Sequence, residues 1–495
     1  MIKKVLSKKN IIIIFMFMIL ASVYLMIFST TTSPIYHLYG TDSEIFRMLG
    51  RMQKRGMIPY VDFFDHKGPF IITVEWIGCL ISEDRIGIFI VQIIFLMFTL
   101  MATYKLFRLK YSTKCSFILT AVMLLVLRMY YEGGNLTEEY CLPFLIWSCY
   151  LASKYMMQYY DKIGEHKWQY SFFYGITFII CAFTRLTNAF PICSIVLVGS
   201  VIIISKKMWK NLLENTLAFL GGVSIVAIPY SIYFYVNNGF YDMIYATFIY
   251  NFKHGSDYSE RVSMGEQIKI MVYLLVLITT MIIGIYTYLK KQNMQTIGLT
   301  VAIMSVVGII FHLKMRFYLH YYMIYIPIII MAILCCKGYF ASHEKNILLK
   351  LFKMVATTLI VMTMIFFGVK NITMFNDFVL ISESEASIKQ SSERMKSLVK
   401  AIDTDSDIVA YDVAPYFYIE TGIIPCYKNF IIQDQQTRYD KRLKSGFERD
   451  LKSMKAEYIV VSTNQNNRYQ QFIEEKYYVY NRVQELVLYK RKLID

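Results

Sequence analysis

Charged residues are scarce in this chain, at 18% of its 495 residues, whereas hydrophobic residues make up 56%. The mean hydropathy is +0.41, and few soluble globular proteins combine so little charge with so much apolar sequence. Apolar runs long enough to span a bilayer recur along most of the chain. The composition therefore argues against a soluble protein and predicts a polytopic α-helical membrane protein.

The sequence contains no CxxC pair and no spacing of potential ligands that is typical of a metal site. Eight of its nine cysteines lie in or at the edges of apolar segments, and Cys426 stands alone in the polar tail. We interpret them as small apolar packing residues rather than as a disulfide framework. No internal repeat or low-complexity tract appears, and neither does the inverted pair of broken helices that is typical of secondary transporters.

Nucleic acid is not indicated as a partner, although the net charge is +16. The basic residues fall in short loops between apolar runs, which is the positive-inside pattern of membrane proteins. Lys3, Lys4, Lys8 and Lys9 precede the first apolar run, residues 10–31, and predict a cytoplasmic N-terminus. This run is longer than the core of a usual signal peptide and lacks an evident cleavage site, so a retained first helix is favoured.

The loop charges predict about eleven membrane-spanning helices within residues 1–370. Residues 70–82 are apolar but short, and we expect them to lie at the membrane interface or to be re-entrant, which keeps the basic loop 105–114 inside. Residues 32–69 then form the first external loop. The predicted spans are residues 10–31, 86–107, 115–131, 140–159, 170–183, 189–205, 212–236, 268–289, 296–311, 321–336 and 348–369.

The tail, residues 371–495, is polar and is predicted to be a small extracytoplasmic α/β domain. Its segment 381–400 is charged and typical of a helix, and the stretches DIVAYD, AEYIVVST and YYVYNRVQELVLYKRK carry strand signals. We therefore expect a multi-pass protein of the cell membrane, with a cytoplasmic N-terminus and an external C-terminal domain.

Four polar clusters fall on the external side in this topology, although none of them was used to assign the sides. They are residues 40–67, residues 132–139, Arg185 with Asn188, and residues 316–320. Charged groups beside a membrane are costly unless they are solvated, paired or used. The clusters therefore predict a shared external cavity.

The first external loop carries the richest of these clusters. Its carboxylates Asp42, Asp62 and Asp65 are suited to hold a divalent cation or to act as a general base toward an alcohol. His66 and Lys67 are suited to a phosphate or diphosphate leaving group. The alternative is a solvated loop, in which Asp42 with the following serine caps a helix.

The other clusters also leave two interpretations open. Glu138 and Glu139 open a helix, where carboxylates are stabilised by the helix dipole, or they contact sugar or metal. Arg185 lies between two apolar helices and needs an anionic partner, either a phosphate or a protein carboxylate. Arg316 and His320 are one turn apart if their segment is helical, which favours phosphate contact, with Arg316 alternatively an interfacial anchor.

Asp42 and the stretch PYVDFFDHKGP carry a family resemblance. They resemble the first external loop of the GT-C superfamily, integral-membrane glycosyltransferases that use polyprenyl-phosphate sugars. The similarity is greatest to the bacterial branch akin to protein O-mannosyltransferases and lipid A aminoarabinose transferases. Those proteins place an acidic residue soon after the first helix and a basic residue before proline, often as His-Pro-Pro, where this chain has His66-Lys67-Gly68-Pro69. Weaker matches are GGNLTEEYCLPF, AFTRLTNAFP and RFYLHYYMIYIP, so the resemblance covers residues 10–327.

The resemblance implies a hexosyltransferase that moves a sugar, with inversion, from an undecaprenyl-phosphate donor to an external hydroxyl. It implies Asp42 as the base, and His66 and Lys67 as contacts of the lipid phosphate. For Asp62 and Asp65 it leaves metal binding, acceptor contact or loop structure open. The acceptor (envelope glycan, glycolipid or protein) and the need for a divalent cation also stay open.

Three other classes of protein would share some of these features. A flippase or transporter of a lipid-linked sugar would be as hydrophobic, but it has no evident need for a carboxylate-rich loop and a soluble tail. An envelope polymer ligase or polymerase usually places its key residues in a large late loop, whereas the richest loop here is the first. A non-catalytic assembly subunit would not depend on Asp42.

Overall fold

The computed structural model of the protein describes residues 8–36, 38–158, 160–254, 264–290, 294–314, 318–337, 346–376, 381–403, 405–464 and 467–492. Most of these residues are helical, and the strands of the sheet lie near the C-terminus. Up to Asn376 the α-helices are Lys8–Phe28, Thr41–Lys54, Pro69–Ile81, Arg85–Phe107, Thr113–Arg128, Thr137–Met156, Trp168–Ala182, Phe190–Ser205, Trp209–Val236, Phe240–Ile244, Asn251–His254, Met264–Leu289, Gln295–Lys314, Ile326–Cys335 and Ile347–Asn376. Short 3-10 helices cover Tyr160–Lys162, Leu186–Ala189 and Leu319–Tyr325, and a π-helix covers Tyr245–Tyr250.

Every predicted span coincides with helical residues, which confirms the polytopic helical class. Among the described residues, seven helices are long and apolar enough to cross a bilayer. The remaining predicted spans coincide with helices that are shorter or more polar, so the total of eleven is not confirmed. The assignment of loops to the two sides of the membrane stays a prediction.

The apolar segment that was predicted to lie at the interface is the helix Pro69–Ile81. Its 13 residues span about 20 Å at 1.5 Å per residue, short of the roughly 30 Å of a hydrocarbon core. Its start is fixed by Pro69, because proline is favoured in the first helical turn, where its missing N–H leaves no bond unmade. The residues just before it are thereby held at the end of a buried helix.

Proline opens two further helices in the same way. Pro191 stands at the start of Phe190–Ser205, and Pro327 at the start of Ile326–Cys335. Each of these helices follows a short 3-10 turn, so the polar residues before the proline lie in tight turns rather than in long loops. His66 with Lys67, Arg185 and His320 therefore each lie shortly before a helix that opens with a proline.

The C-terminal tail folds as the predicted α/β unit. Its strands are β1 (Ile408–Tyr411), β2 (Tyr458–Ser462), β3 (Tyr477–Val483) and β4 (Leu486–Arg491), in the order β1-β2-β4-β3. β1 and β2 are parallel, with Ile408 opposite Tyr458, whereas β4 is antiparallel to both β2 and β3. The helices of this unit are Ile381–Val399, Tyr416–Thr421, Gln433–Tyr439, Lys441–Lys452 and Gln470–Lys476.

One face of the C-terminal sheet shares a hydrophobic core with the first loop, residues 32–69. This core contains Phe46 and Phe63 of the loop together with Phe417 and Val460 of the tail, all buried. The opposite face of the sheet packs against the tail's own helices through a separate core that includes Phe447. The contact places the first loop and the tail on the same side of the membrane.

Candidate active site

Asp42 lies in the first turn of the helix Thr41–Lys54. The predicted capping role for this residue is wrong, because the helix already begins at Thr41, before the Asp42-Ser43 pair. Gly40 is the N-cap, and no side chain caps the helix. The Asp42 side chain is 34% exposed, while the residues that follow it, from Ser43 on, are buried against the protein. The carboxylate is therefore left available on the open side of its helix.

Asp62 and Asp65 stabilise the loop backbone before Pro69. Asp62 is exposed and accepts a hydrogen bond of 2.6 Å from the Ile58 amide. Asp65 is buried and accepts one of 2.7 Å from the Lys67 amide. Of the alternatives that the sequence left open for these two residues, this geometry favours loop structure over metal or acceptor contact.

His66 and Lys67 form a buried basic pair in this turn. The Lys67 ammonium lies 3.1 Å from Nε2 of His66. Burial, together with the charges of Lys67 and Arg185, holds the pKa of His66 well below its ordinary value, so its ring is neutral and accepts this hydrogen bond. Burial alone would lower the pKa of Lys67, but its electrostatic interactions with Asp42, Tyr321 and Asp65 raise it above the ordinary value. Lys67 is thus a cation at neutral pH although only 8% of it is exposed.

A backbone contact joins this turn to the one that carries Arg185. The amide of Gly68 donates to the carbonyl of Thr184 at 3.1 Å, and the amide of Phe70 donates to the carbonyl of Phe183 at 2.9 Å. A Cβ at Gly68 would lie 2.2 Å from the carbonyl oxygen of Phe183. The approach is possible because residue 68 is a glycine, and it brings the cations of the two turns together.

Arg185 has a protein carboxylate and an aromatic ring as partners. Its Nη1 lies 3.7 Å from Oε1 of Glu138, and its guanidinium carbon lies 3.6 Å from the centre of the Tyr321 ring. Stacking on the ring holds the guanidinium plane in place and leaves its edges for an anion. Glu138 is therefore the protein carboxylate that was one of the two predicted partners of Arg185. The distance of 3.7 Å leaves room for a second anionic group at the guanidinium.

His320 lies between two carboxylates. Its Nδ1 makes a short hydrogen bond with Oε2 of Glu132, and its Nε2 lies 3.7 Å from Oδ2 of Asp42. Burial lowers the pKa of His320, but the hydrogen bond with Glu132 and the charges of Glu138 and Asp42 raise it above its ordinary value. The imidazolium therefore links the turn at residue 132 to the helix of Asp42.

Glu139 points away from this group and into the protein. Its carboxylate accepts hydrogen bonds from Nε2 of Gln92 at 3.1 Å, from the hydroxyl of Tyr131 and from the amide of Asn135 at 3.0 Å. These contacts hold both ends of the turn that contains Glu132. The structure thus gives Glu139 a buried structural environment rather than one open to sugar or metal.

Some residues of each predicted polar cluster lie around a common region, and others do not. Asp42, the basic pair of the first loop, Glu138, Arg185 and His320 surround one region, whereas Asp62, Asp65 and Glu139 face backbone or core. Arg316 lies outside the described residues, so the predicted helical turn between it and His320 is not tested. The sequence analysis gave no individual role to Glu132, at the edge of the cluster 132–139, or to Tyr321, which lies in the weak match RFYLHYYMIYIP and is one of 41 tyrosines.

A divalent cation has no evident site in the described part of the chain. No group of three or more histidine, cysteine, aspartate or glutamate residues has the spacing of a metal site there. The carboxylates around the site are instead paired with His320 and Arg185.

Two solved structures of ArnT from Cupriavidus metallidurans are similar to this chain over nearly its whole length. The structure with bound undecaprenyl phosphate has a TM-score of 0.59 at 11% sequence identity, and the match covers 95% of this chain and 97% of ArnT. The apo structure has the same TM-score of 0.59 at 12% identity, with coverage of 95% and 97%. No family model matches the chain, and no curated protein sequence matches it.

The likeness to ArnT agrees with the resemblance of the first loop, which was found from different features of the chain. ArnT is a lipid A aminoarabinose transferase and belongs to the GT-C superfamily. At the identities of 11% and 12% the similarity concerns the fold. The chain therefore has the fold of these GT-C structures.

Proposed function

We propose that this protein is a membrane glycosyltransferase that moves a sugar from an undecaprenyl-phosphate donor to a hydroxyl of an envelope acceptor on the outer face of the membrane. The observation that carries the proposal is the state of Lys67. It is a buried cation, and no carboxylate among the described residues lies within ion-pair distance of it. Asp42 and Asp65 favour the charge of Lys67 without contacting its ammonium, so the ammonium keeps hydrogen-bond donors for an anionic ligand.

The neighbouring groups fit a lipid phosphate as that ligand. Arg185 supplies a second cation, and its charge lowers the pKa of Lys67, as expected for two cations that share one region. Guanidinium and ammonium groups together are well suited to a phosphate that gains negative charge as a bond breaks. The ArnT structure of the same fold contains undecaprenyl phosphate, which supports this class of ligand.

Asp42 is the proposed general base. The acceptor oxygen attacks the anomeric carbon on the face opposite the phosphate while Asp42 takes the hydroxyl proton. The bond between the anomeric carbon and the phosphate oxygen breaks, and its electron pair leaves with undecaprenyl phosphate. Lys67 and Arg185 stabilise the charge on that phosphate. The sugar is transferred with inversion in this scheme.

The test uses the full chain in proteoliposomes with a panel of radiolabelled undecaprenyl-phosphate sugars and a membrane extract as the source of acceptors. Asp42→Asn keeps the shape but not the basicity of the side chain, so we expect transfer to fall by about 10²-fold or more while undecaprenyl phosphate still binds. Lys67→Met removes the charge, and we expect binding of undecaprenyl phosphate to weaken about tenfold or more, as for loss of a charged hydrogen bond. Asp84→Asn, at an exposed aspartate before the next helix, is the matched control and should leave both measurements unchanged.

Other outcomes would contradict the proposal at different points. Transfer by Asp42→Asn at the wild-type rate would remove this residue from the chemistry. Wild-type protein that binds no undecaprenyl phosphate would overturn the ligand class. Label that crosses the bilayer still attached to its lipid, without any transfer, would favour the transporter.

A further inference from the structure

Both ring nitrogens of His320 are engaged by carboxylates from other parts of the chain. Nδ1 makes its short hydrogen bond with Glu132, and the His320 amide donates to the same Glu132 oxygen at 3.3 Å. Nε2 faces Asp42 at 3.7 Å. The side chain is only 9% exposed, while the two carboxylates, Glu132 and Asp42, are 37% and 34% exposed. The imidazole is therefore held in a fixed position inside the protein, whereas both carboxylates are partly exposed to solvent.

The charges around this ring argue against a phosphate as its partner. Glu132, Asp42 and Glu138 are the acidic groups that face His320. The cations Arg185 and Lys67 lie beside them on separate turns. A phosphate placed at His320 would meet two carboxylates at close range, and like charges there are destabilising. These charges favour a role for His320 as a partner of the two carboxylates over a role as a phosphate contact.

The turn that presents Glu132 is held in an uncommon conformation. Glu132 has a φ of +38°, which is uncommon for a residue with a side chain. The carbonyl of Gly133 accepts hydrogen bonds from the amide and the hydroxyl of Thr31, at 3.1 and 3.0 Å. Glu139 accepts from the amide of Asn135 on the other side. The contacts that fix this turn fix the Glu132 carboxylate against His320.

We propose that Glu132 and His320 are positioning residues for Asp42: Glu132 orients the imidazolium, and the imidazolium holds the Asp42 carboxylate in place toward the acceptor. The inference rests on the proposed function, because it assigns a role toward the proposed base. In the transfer step the acceptor proton goes to Asp42, and His320 keeps its own protons. The pair therefore acts through Asp42 and does not touch the sugar.

The experiment measures transfer rates against donor concentration at neutral pH for the full-length wild type and for His320→Gln, with the undecaprenyl-phosphate sugar that the wild type uses from the panel. A base that is not held toward the acceptor slows the chemical step without weakening donor binding. We therefore expect kcat to fall about tenfold in His320→Gln. The KM for the donor and the Kd for undecaprenyl phosphate should stay within about twofold of wild type.

Two further variants separate positioning from folding. Glu132→Gln should lower kcat in the same way, and Glu132→Asp, which keeps the charge, should restore part of the loss. His312→Gln is the matched control, since His312 is also buried but bonds the Ile270 carbonyl at 3.0 Å; its kcat and KM should match the wild type.

Three other outcomes would contradict the inference. A weaker Kd for undecaprenyl phosphate with a wild-type kcat in His320→Gln would make His320 a phosphate contact and overturn the inference. A lower thermal midpoint with wild-type kcat and KM would make the pair structural, which also overturns it. Wild-type protein that transfers none of the sugars would overturn the proposed function and the inference with it.

Discussion

Two aspartates of the first loop show how burial divides residues of the same type. Asp62 is exposed, whereas Asp65, three positions later, is 3% exposed. Burial raises the pKa of Asp65 to about 6, against the opposing effects of the Lys67 charge and of backbone hydrogen bonds. A carboxyl that is harder to ionise in the folded protein than in the unfolded chain weakens folding at the pH where it must ionise.

The change Asp65→Asn should therefore alter the pH dependence of stability. Below about pH 4 the carboxyl is protonated in both the folded and the unfolded state, so it contributes no difference there. Between about pH 4 and 6 the unfolded state ionises first, and wild-type stability falls as the pH rises, by up to about 3 kcal/mol at roughly 1.4 kcal/mol per pKa unit. Asn keeps an oxygen that can accept the hydrogen bond of the Lys67 amide, but it does not titrate. The stability of the Asp65→Asn variant relative to the wild type should therefore increase from pH 4.5 to pH 7.

The measurement is the thermal midpoint of both proteins in one detergent at the two pH values. A difference between wild type and Asp65→Asn that does not change with pH would contradict the prediction, because it would mean that the carboxyl ionises equally easily in both states.

At the scale of elements, the site depends on how closely two turns approach. The turn before Pro69 and the turn at Arg185 meet at Gly68, whose φ of −74° is open to any residue. Space is the constraint here, since the Phe183 carbonyl occupies the place of a Cβ. Close packing of this kind leaves no low-cost adjustment, because a carbonyl held in a helix end cannot rotate away.

The change Gly68→Ala should weaken binding of undecaprenyl phosphate without removing any charged group. The added methyl must push the two turns apart, which breaks the bond from Gly68 to Thr184 and moves Lys67 away from Arg185. We expect the Kd to rise about tenfold, the equivalent of about 1.4 kcal/mol. Gly164→Ala is the control, because a Cβ at Gly164 meets nothing within 4 Å. An unchanged Kd in Gly68→Ala would show that the spacing of the two turns does not set affinity.

The same scale shows what the sequence could and could not predict. Helices, strands and the grouping of polar loops on one side follow from local hydropathy and loop charge, and Asp42 and Lys67 stand in a local motif. The contact between Glu132 and His320 joins residues 188 positions apart and depends on how helices pack. The roles of Asp62, Asp65 and Glu139 depend on burial, which cannot be read from a cluster of charged residues in the sequence.

For the whole molecule, the C-terminal domain and the first loop behave as one packed body. The amide of Phe64 donates to the Lys428 carbonyl at 2.9 Å, and Nη1 of Arg51 donates to the Ile419 carbonyl at 3.1 Å. Asp242 pairs with both Lys428 and Arg442. These contacts add to the shared hydrophobic core, so the tail helps to fix the position of the loop that carries Asp42 and Lys67.

The change Phe417→Ala should therefore loosen the first loop as well as the tail. Phe417 is fully buried in the shared core, within the short helix Tyr416–Thr421 that packs on the helix of Asp42, and loss of a buried phenylalanine costs about 3–5 kcal/mol. Hydrogen exchange of peptides from residues 41–65 should speed up together with that of the tail, and transfer should fall. Phe447→Ala makes the same change in the core on the opposite face of the sheet, so it should speed exchange in the tail and leave residues 41–65 protected. If both variants leave the first loop protected, the membrane helices alone hold the site, and the tail has no part in its order.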